Sequence, residues 1–383
     1  MVNYCKYCLV LIFILGIQTL SQPIVKFAAI GDYGRWYTPG EVLVSQMVHG
    51  WNPDFIITLG DNNYEYGADS TIDSNIGQYY HDYIRPYSGV FGNESSVNKF
   101  FPSLGNHDWL TDSAHAYLNF FTLPGNERYY DYVKGNCHFF VIDSDVNEPD
   151  GITVNSIQAL WLKNKLAQST SRFKIVYFHH PPFSSGQHGN SVDMQWKFKE
   201  WGTTVVLSGH EHNYERLVGN DGLTYFVNGL GGKDWRDFLN IVPESKFRFT
   251  ANYGAMLVTS YQDSINFKFY AYPDSLKDDT TIVLSPIGIE PISEIAEGFK
   301  LEQNYPNPFN PVTHIEFRIS DFGLVNLTIY DVLGEKVEIL VNEELKAGTY
   351  ETEWDASEYP SGIYFYSMVS SNGLISKKMV LIK

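Results

Sequence analysis

A two-sheet α/β sandwich with helices outside, followed by a small all-β sandwich, is the fold class the sequence predicts. Three observations predict it. Short β-branched or aromatic runs alternate with helical patterns along the longer first part of the chain. Composition then shifts at residues 285–297, where two prolines and no clear period mark a linker. Beyond it only short strands remain, with visible alternation in Val325-Asn326-Leu327-Thr328-Ile329 and turn residues between them.

The first 22 residues read as a secretory signal. Lys6 supplies the positive start, residues 9–16 a short apolar core, and Thr19 and Ser21 the small residues before cleavage. The apolar run is too short to span a bilayer, and no other stretch is long enough, so the mature chain is expected to carry no transmembrane helix. Neither Cys5 nor Cys8 follows the apolar core, so there is no lipobox. Both leave with the signal, and the mature chain keeps only Cys137, which excludes an intrachain disulfide.

Strands are expected at residues 25–30, 55–59, 137–142, 174–178 and 203–207, each bounded by Gly, Asp or Asn. Residues 157–166 carry apolar side chains at helical spacing after Asn155-Ser156, an N-cap signal. Residues 40–47 predict a second helix. Residues 223–228 and a hairpin over 255–272, turning near Gln262-Asp263-Ser264, predict antiparallel strands. In the tail, strands are expected at 313–319, 325–330, 336–341, 349–354, 363–369 and 376–382. The domain plan is a signal at 1–22, a catalytic domain at 23–284, a linker at 285–298 and a tail domain at 299–383.

The formal net charge of −17 argues against nucleic-acid binding, which needs a basic footprint. An anionic substrate is not steered from afar by such a surface and must be drawn in locally.

Five motifs follow apolar runs: Gly31-Asp32-Tyr33-Gly34, Gly60-Asp61-Asn62-Asn63-Tyr64, Gly105-Asn106-His107-Asp108, Val176-Tyr177-Phe178-His179 and Gly209-His210-Glu211-His212. Each alone is common. Gly-Asp is an ordinary turn, and the chain has 27 tyrosines. Together, at strand ends where α/β folds place their sites, they form a donor set for two neighbouring metal ions. Asp32 and Asp61 offer carboxylates, one able to bridge. Asn106 offers a carbonyl oxygen, and His179, His210 and His212 offer imidazoles. Tyr64 is unusual. A free phenol ionises only near pH 10, so a tyrosinate ligand requires a strongly Lewis-acidic ion, for which ferric iron is the natural candidate. Paired metals point to phosphate-ester hydrolysis.

The order and spelling of these motifs resemble the calcineurin-like metallophosphoesterase superfamily. Within it they are similar to the purple acid phosphatases of the short, tartrate-resistant type, over residues 24–275. Gly34 stands where many branches carry a His, and Tyr64 is present; both favour the purple branch. The resemblance implies a metallophosphoesterase-type sandwich in which Asp32, Tyr64 and His212 bind ferric iron. Asn106, His179 and His210 would bind a divalent ion (iron, zinc or manganese), and Asp61 would bridge. It implies that His107 contacts the phosphate and assists the leaving group. It also implies that His188, nine residues after His179, faces substrate. His180 is expected to point away, since neighbours on a strand face opposite sides. Glu211, Asn213 and Arg216 are candidates for orienting donors or capping the loop. The expected reaction is attack of a metal-activated hydroxide on phosphomonoesters, extending below neutral pH. The alternatives are a phosphodiesterase or nucleotidase on the same site, or a non-catalytic surface-binding protein. The extra β domain of longer plant-type enzymes and the disulfide of animal members have no counterpart here.

Asp143-Ser144-Asp145-Val146-Asn147 resembles a calcium loop but has Glu148 where the turn needs Gly, and it reads as an acidic surface loop. Asn93-Glu94-Ser95 and Asn326-Leu327-Thr328 are glycosylation sequons only in form.

From about residue 299, Asn304-Tyr305-Pro306-Asn307-Pro308-Phe309-Asn310-Pro311, Tyr330-Asp331-Val332-Leu333-Gly334, Ser361-Gly362-Ile363-Tyr364-Phe365 and Lys377-Lys378 resemble the type A C-terminal sorting domain of type IX secretion. That implies export, the type IX machinery as partner, and secretion or attachment at the outer-membrane surface. His314 is then a surface or packing residue.

Overall fold

The computed structural model describes residues 22–35, 38–284, 290–293 and 298–383. All but the last residue of the expected signal, and most of the expected linker, lie outside the described residues. The chain divides into two compact units between Thr281 and Ile282.

The first unit holds β1 (Val25–Ile30), β2 (Phe55–Thr58), β3 (Phe100–Pro102), β4 (Tyr130–Lys134), β5 (Cys137–Val141), β6 (Phe173–Tyr177), β7 (Val205–Ser208), β8 (Tyr214–Val218), β9 (Thr224–Asn228), β10 (Ser245–Phe249), β11 (Gly254–Ser260), β12 (Ser264–Ala271) and β13 (Ser275–Val283). They form a six-stranded sheet, β13-β12-β11-β1-β2-β3, and a seven-stranded sheet, β10-β8-β9-β7-β6-β5-β4. The central strands β2 and β7 are buried at every position, which suits parallel strands covered on both faces.

Aromatic rings join the sheets. Phe27 on β1 meets Phe139 on β5 at 5.2 Å between centroids, and Phe101 on β3 stacks on Tyr132 of β4 at 4.1 Å. Tyr214 of β8 stacks on Phe269 of β12 at 3.9 Å. Helices lie outside. Helix α1 (Pro39–Trp51) packs on β11, α2 (Asn106–Trp109) is a single turn after β3, and α3 (Ile157–Gln168) places Leu162 and Leu166 against Val176 and Val206. The expected cap of α3 is present: Ser156 Oγ accepts the Ala159 N–H at 3.1 Å.

One arrangement positions the candidate site. β1, β2 and β3 run parallel in the first sheet, and β5, β6 and β7 run parallel in the second. Their C-terminal ends carry the five motifs. Among the described residues no helix is long and apolar enough to cross a membrane.

The second unit is all β, with sheets β14-β19-β16-β15 and β18-β17-β20-β21 built from β14 (Glu290–Ser293), β15 (Lys300–Leu301), β16 (Val312–Ile319), β17 (Gly323–Tyr330), β18 (Lys336–Leu345), β19 (Gly348–Asp355), β20 (Gly362–Ser370) and β21 (Gly373–Leu381). Phe317, Leu327, Trp354, Tyr366 and Met379 fill its core. Part of the expected linker is a strand: β14 pairs with β19, with a register shift between Pro291 and Ser293. β14 is the edge strand of its sheet, where a proline or a register shift breaks the ladder on one side only. His314 lies on β16, half exposed beside Glu351 and Glu353.

Candidate metal centre

Backbone geometry brings the motif residues to one rim. Asp32, Asp61 and His210 sit at φ 54°, 53° and 68°, a left-handed region that non-glycine residues rarely adopt. Each turns its side chain back over the strand ends. Gly60 permits close approach, since a Cβ there would lie 2.5 Å from His179 Nδ1. At Gly105 a Cβ would lie 2.3 Å from Asp61 Oδ1.

Asp32 and Asp61 are buried. The Tyr64 hydroxyl sits between them, donating toward Asp32 Oδ1 at 3.0 Å and Asp61 Oδ2 at 2.8 Å. His212 Nε2 lies 3.4 Å from the Tyr64 oxygen and 3.4 Å from Asp32 Oδ1. His179 Nε2 lies 3.1 Å from Asn106 Oδ1, 3.3 Å from Asp61 Oδ1 and 3.2 Å from His210 Nδ1. Asp61 is thus common to both halves, and all seven expected donors meet in one cluster. Two imidazoles are set by carbonyls. His179 Nδ1 donates to the Leu59 carbonyl at 2.8 Å and His212 Nδ1 to the Asp234 carbonyl at 2.7 Å, which leaves each Nε2 facing the centre.

The electrostatics describe a site that wants a cation. Burial, then the charges of Asp32 and Asp61, push the Tyr64 phenol well above its ordinary value. Burial works against charge on His179, yet the Asp61 carboxylate raises it to about 10. Burial likewise opposes charge on Asp61, but His179 holds it below the usual carboxylate range. Burial and the neighbouring His179 charge push His210 well down. Two buried carboxylates, a phenol and several imidazoles share one space, and His179 is the group that answers the carboxylate charge. Oxygen and nitrogen donors of this kind fit hard or borderline metal ions, and the donor set fits a pair of them.

His107 and His188 lie on opposite flanks. His107 Nδ1 meets the Glu65 carbonyl at 2.6 Å, its backbone N–H donates to Asp61 Oδ1 at 2.9 Å, and its Nε2 is 3.9 Å from Asp61 Oδ2. The His188 ring lies 4.3 Å from the His210 ring. Buried Glu211 holds the loop beneath it, accepting the N–H groups of Gln187, His188 and Gly189.

Some expectations are corrected. His180 does not point away: its ring lies 4.5 Å from His210, and its donor atom groups with those of His179 and His210. β6 ends at Tyr177, so strand alternation no longer applies at His180. Burial and the His179 charge lower it to about 3, and Ser144 Oγ meets its Nδ1 at 2.9 Å. Arg216 does not orient donors; it pairs with Asp278 at 2.7 Å on β13. Asn213 is buried and makes no side-chain hydrogen bond among the described residues. The 143–148 stretch reaches the surface at Val146 and Asn147, but its acidic side chains do not. Asp143, Asp145 and Glu148 are buried, satisfied by Trp109, backbone N–H groups and Arg128.

Sequence reasoning missed Asn62 and Asp108. Asp108 accepts the N–H groups of Gly105 and Asn62 and the Asn62 amide, tying the loop after β2 to α2. Gly105-x-x-Asp108 has capping-box spacing, the signal that would have found it. Lys233 was also missed; its Nζ lies 4.4 Å above the Tyr64 ring and 2.6 Å from Glu65.

Comparison with known proteins bears on both units. Residues 25–214 match the calcineurin-like phosphoesterase family, and residues 303–383 match the secretion system C-terminal sorting domain. The chain is 27% identical to purple acid phosphatase 17 of Arabidopsis thaliana over 259 residues, covering 58% of this chain and 72% of that protein. It is 26% identical to tartrate-resistant acid phosphatase type 5 of Oryctolagus cuniculus, covering 55% and 74%. Among solved structures it shares its fold with a purple acid phosphatase from yellow lupin seeds (TM-score 0.55, 17% identity, 68% of this chain, 54% of the other). It shares it also with GAP50, the anchor in the inner membrane complex of Plasmodium (TM-score 0.53, 18% identity, 69% and 90%).

Proposed function

We infer from the calcineurin-like phosphoesterase match, the likeness to purple acid phosphatases and the match to a secretion sorting domain that this hydrolase of the phosphatase kind is an exported two-metal acid phosphatase acting on phosphomonoesters. The observation that carries this reading is the Tyr64 hydroxyl between Asp32 and Asp61, with His212 on one side and the Asn106–His179–His210 group on the other.

Asp32, Tyr64 and His212 would hold ferric iron, and Asn106, His179 and His210 a divalent ion, with Asp61 between. Such ions supply charge that polarises phosphoryl oxygens and acidifies an attacking water. The chain's own groups do the rest. His179 and His212 keep Nε2 toward the centre because their Nδ1 protons are committed to carbonyls. His107, held through Nδ1 by the Glu65 carbonyl, presents Nε2 to the phosphoryl oxygens and the leaving oxygen. His188 faces the same group from the other flank, on a loop set by Glu211. The sorting domain directs the chain to the type IX machinery, after a signal segment at residues 1–22, and so to the cell surface or beyond.

The test compares 4-nitrophenyl phosphate with bis(4-nitrophenyl) phosphate, using wild type and Asp61→Ala. Preferential monoester turnover below pH 7, lost in the variant, supports the reading. Preference for the diester makes the chain a phosphodiesterase. Absence of turnover in metal-loaded protein favours a scaffold role, as for GAP50, the anchor in the inner membrane complex of Plasmodium.

A further inference from the structure

We propose that Arg236 is a specificity-determining residue, binding a second anionic group of the substrate beside the phosphoryl group that reacts. The proposal rests on the phosphatase reading and names its substrate class: compounds with two linked phosphoryl groups, inorganic diphosphate being the simplest.

The backbone of Arg236 is fixed to the centre. Its N–H donates to the His212 carbonyl at 2.8 Å, and its own carbonyl accepts the Thr250 hydroxyl at 2.7 Å. Its guanidinium Nη1 donates to His188 Nε2 at 3.2 Å. An accepting Nε2 places the His188 proton on Nδ1, which lies 3.4 Å from Glu211 Oε2. Arg236 therefore has a neutral partner, and among the described residues no carboxylate pairs with it.

The two other cations at this end are engaged differently. Arg35 and Lys233 both bind Glu65, at 3.0 and 2.6 Å. Of the three, Arg236 alone has no carboxylate partner among the described residues, and it offers an anion the planar fork that suits phosphate oxygens. In a chain of net charge −17, such a local cation must hold an anion that long-range fields repel.

Position sets the substrate. The His188 ring is 4.3 Å from His210, and the guanidinium lies one hydrogen bond beyond His188. A phosphoryl group at the centre thus leaves Arg236 to meet a charge one group further out. In diphosphate that charge is the second phosphoryl. Hydrolysis forms a bond from water oxygen to the reacting phosphorus. The bridging P–O bond breaks with its electron pair on the departing phosphate, and the protons of water are shared between two phosphate products.

The experiment uses the full chain, with Arg236→Met and Arg236→Lys. KM and kcat are measured for inorganic diphosphate and 4-nitrophenyl phosphate, and binding of non-hydrolysable imidodiphosphate and of phosphate is measured by calorimetry. The expected result is a KM for diphosphate raised at least about tenfold more than that for the aryl ester in Arg236→Met. Arg236→Lys restores part of the difference, and imidodiphosphate affinity falls while phosphate affinity holds. Equal losses on both substrates assign Arg236 to positioning His188 and overturn the proposal, as does no loss. If wild type turns over neither substrate the phosphatase reading falls, and the imidodiphosphate comparison alone decides whether the subsite exists.

Discussion

Replacing Glu211 by Gln removes a charge and one acceptor while keeping the shape. Glu211 Oε1 accepts His188 N–H at 2.7 Å and Gly189 N–H at 2.9 Å, and Oε2 accepts Gln187 N–H at 2.9 Å. Hydrogen bonds to a charged acceptor contribute about 1.5–3 kcal/mol each, and neutral ones about 0.5–1.5 kcal/mol. Glutamine retains one oxygen, so two bonds persist as neutral bonds, at a loss of about 1 kcal/mol each. The third becomes a donor facing a donor and costs at least about 1–2 kcal/mol more. The sum, about 3–4 kcal/mol, falls on the Gln187–Gly189 loop rather than on the sheets. Amide exchange of residues 187–189 should therefore speed by about two to three powers of ten, since each 1.4 kcal/mol is tenfold. Hydrogen-exchange mass spectrometry reads this directly, and KM for an aryl phosphate should rise because His188 rides on that loop. Unchanged protection at 187–189 would refute the claim that Glu211 holds it.

Four further outcomes are expected. Asp61→Asn keeps an acceptor for the His107 N–H but loses the shared carboxylate, so turnover should fall about a thousandfold or more with unchanged far-UV circular dichroism. Gly105→Ala drives a Cβ against Asp61 Oδ1 and should lower metal content by elemental analysis, whereas Gly50→Ala, where nothing lies near, should not. Trp354→Ala empties the second unit's core and should cost about 3–5 kcal/mol in calorimetry, with phosphatase turnover unchanged. The Asp82 hydrogen bond raises His49, while burial opposes it; burial raises Asp82, and His49 lowers it overall. The His49 contribution is therefore present below its unfolded value near 6.5 and lost as pH rises through the higher folded value. The Asp82 contribution is present above about 4 and lost in stronger acid. His49→Gln should lower the thermal midpoint more at pH 5.5 than at pH 9.

The strands that carry the site were legible because each is a short apolar run ended by Gly, Asp or Asn. β1 falls on residues 25–30 as expected, and β2 and β5–β7 differ by a residue or two at their ends. The convergence of Asp32, Asp61, Tyr64, Asn106, His179, His210 and His212 was legible from their placement after those runs. β3 was not, because three residues (Phe-Phe-Pro) show no period. β13 was not, because at the sheet edge Ser275–Val283 exposes apolar Leu276 and Val283 beside Lys277, Asp279 and Thr281 and buries Asp278, so no apolar face shows in its sequence. His180 was misread by carrying strand alternation past the strand's end. Glu211 was undervalued because its partners are backbone N–H groups, which leave no mark in the sequence, whereas Asp108 carries a capping-box spacing that a reading of the sequence can find.

The most direct measurement is elemental analysis of the purified chain together with its visible absorption spectrum, for wild type and Tyr64→Phe. The account predicts two metal ions per chain, one of them iron, and a visible charge-transfer band that vanishes in Tyr64→Phe while the protein stays folded. Substoichiometric metal, or a colour untouched by loss of the Tyr64 hydroxyl, would contradict it.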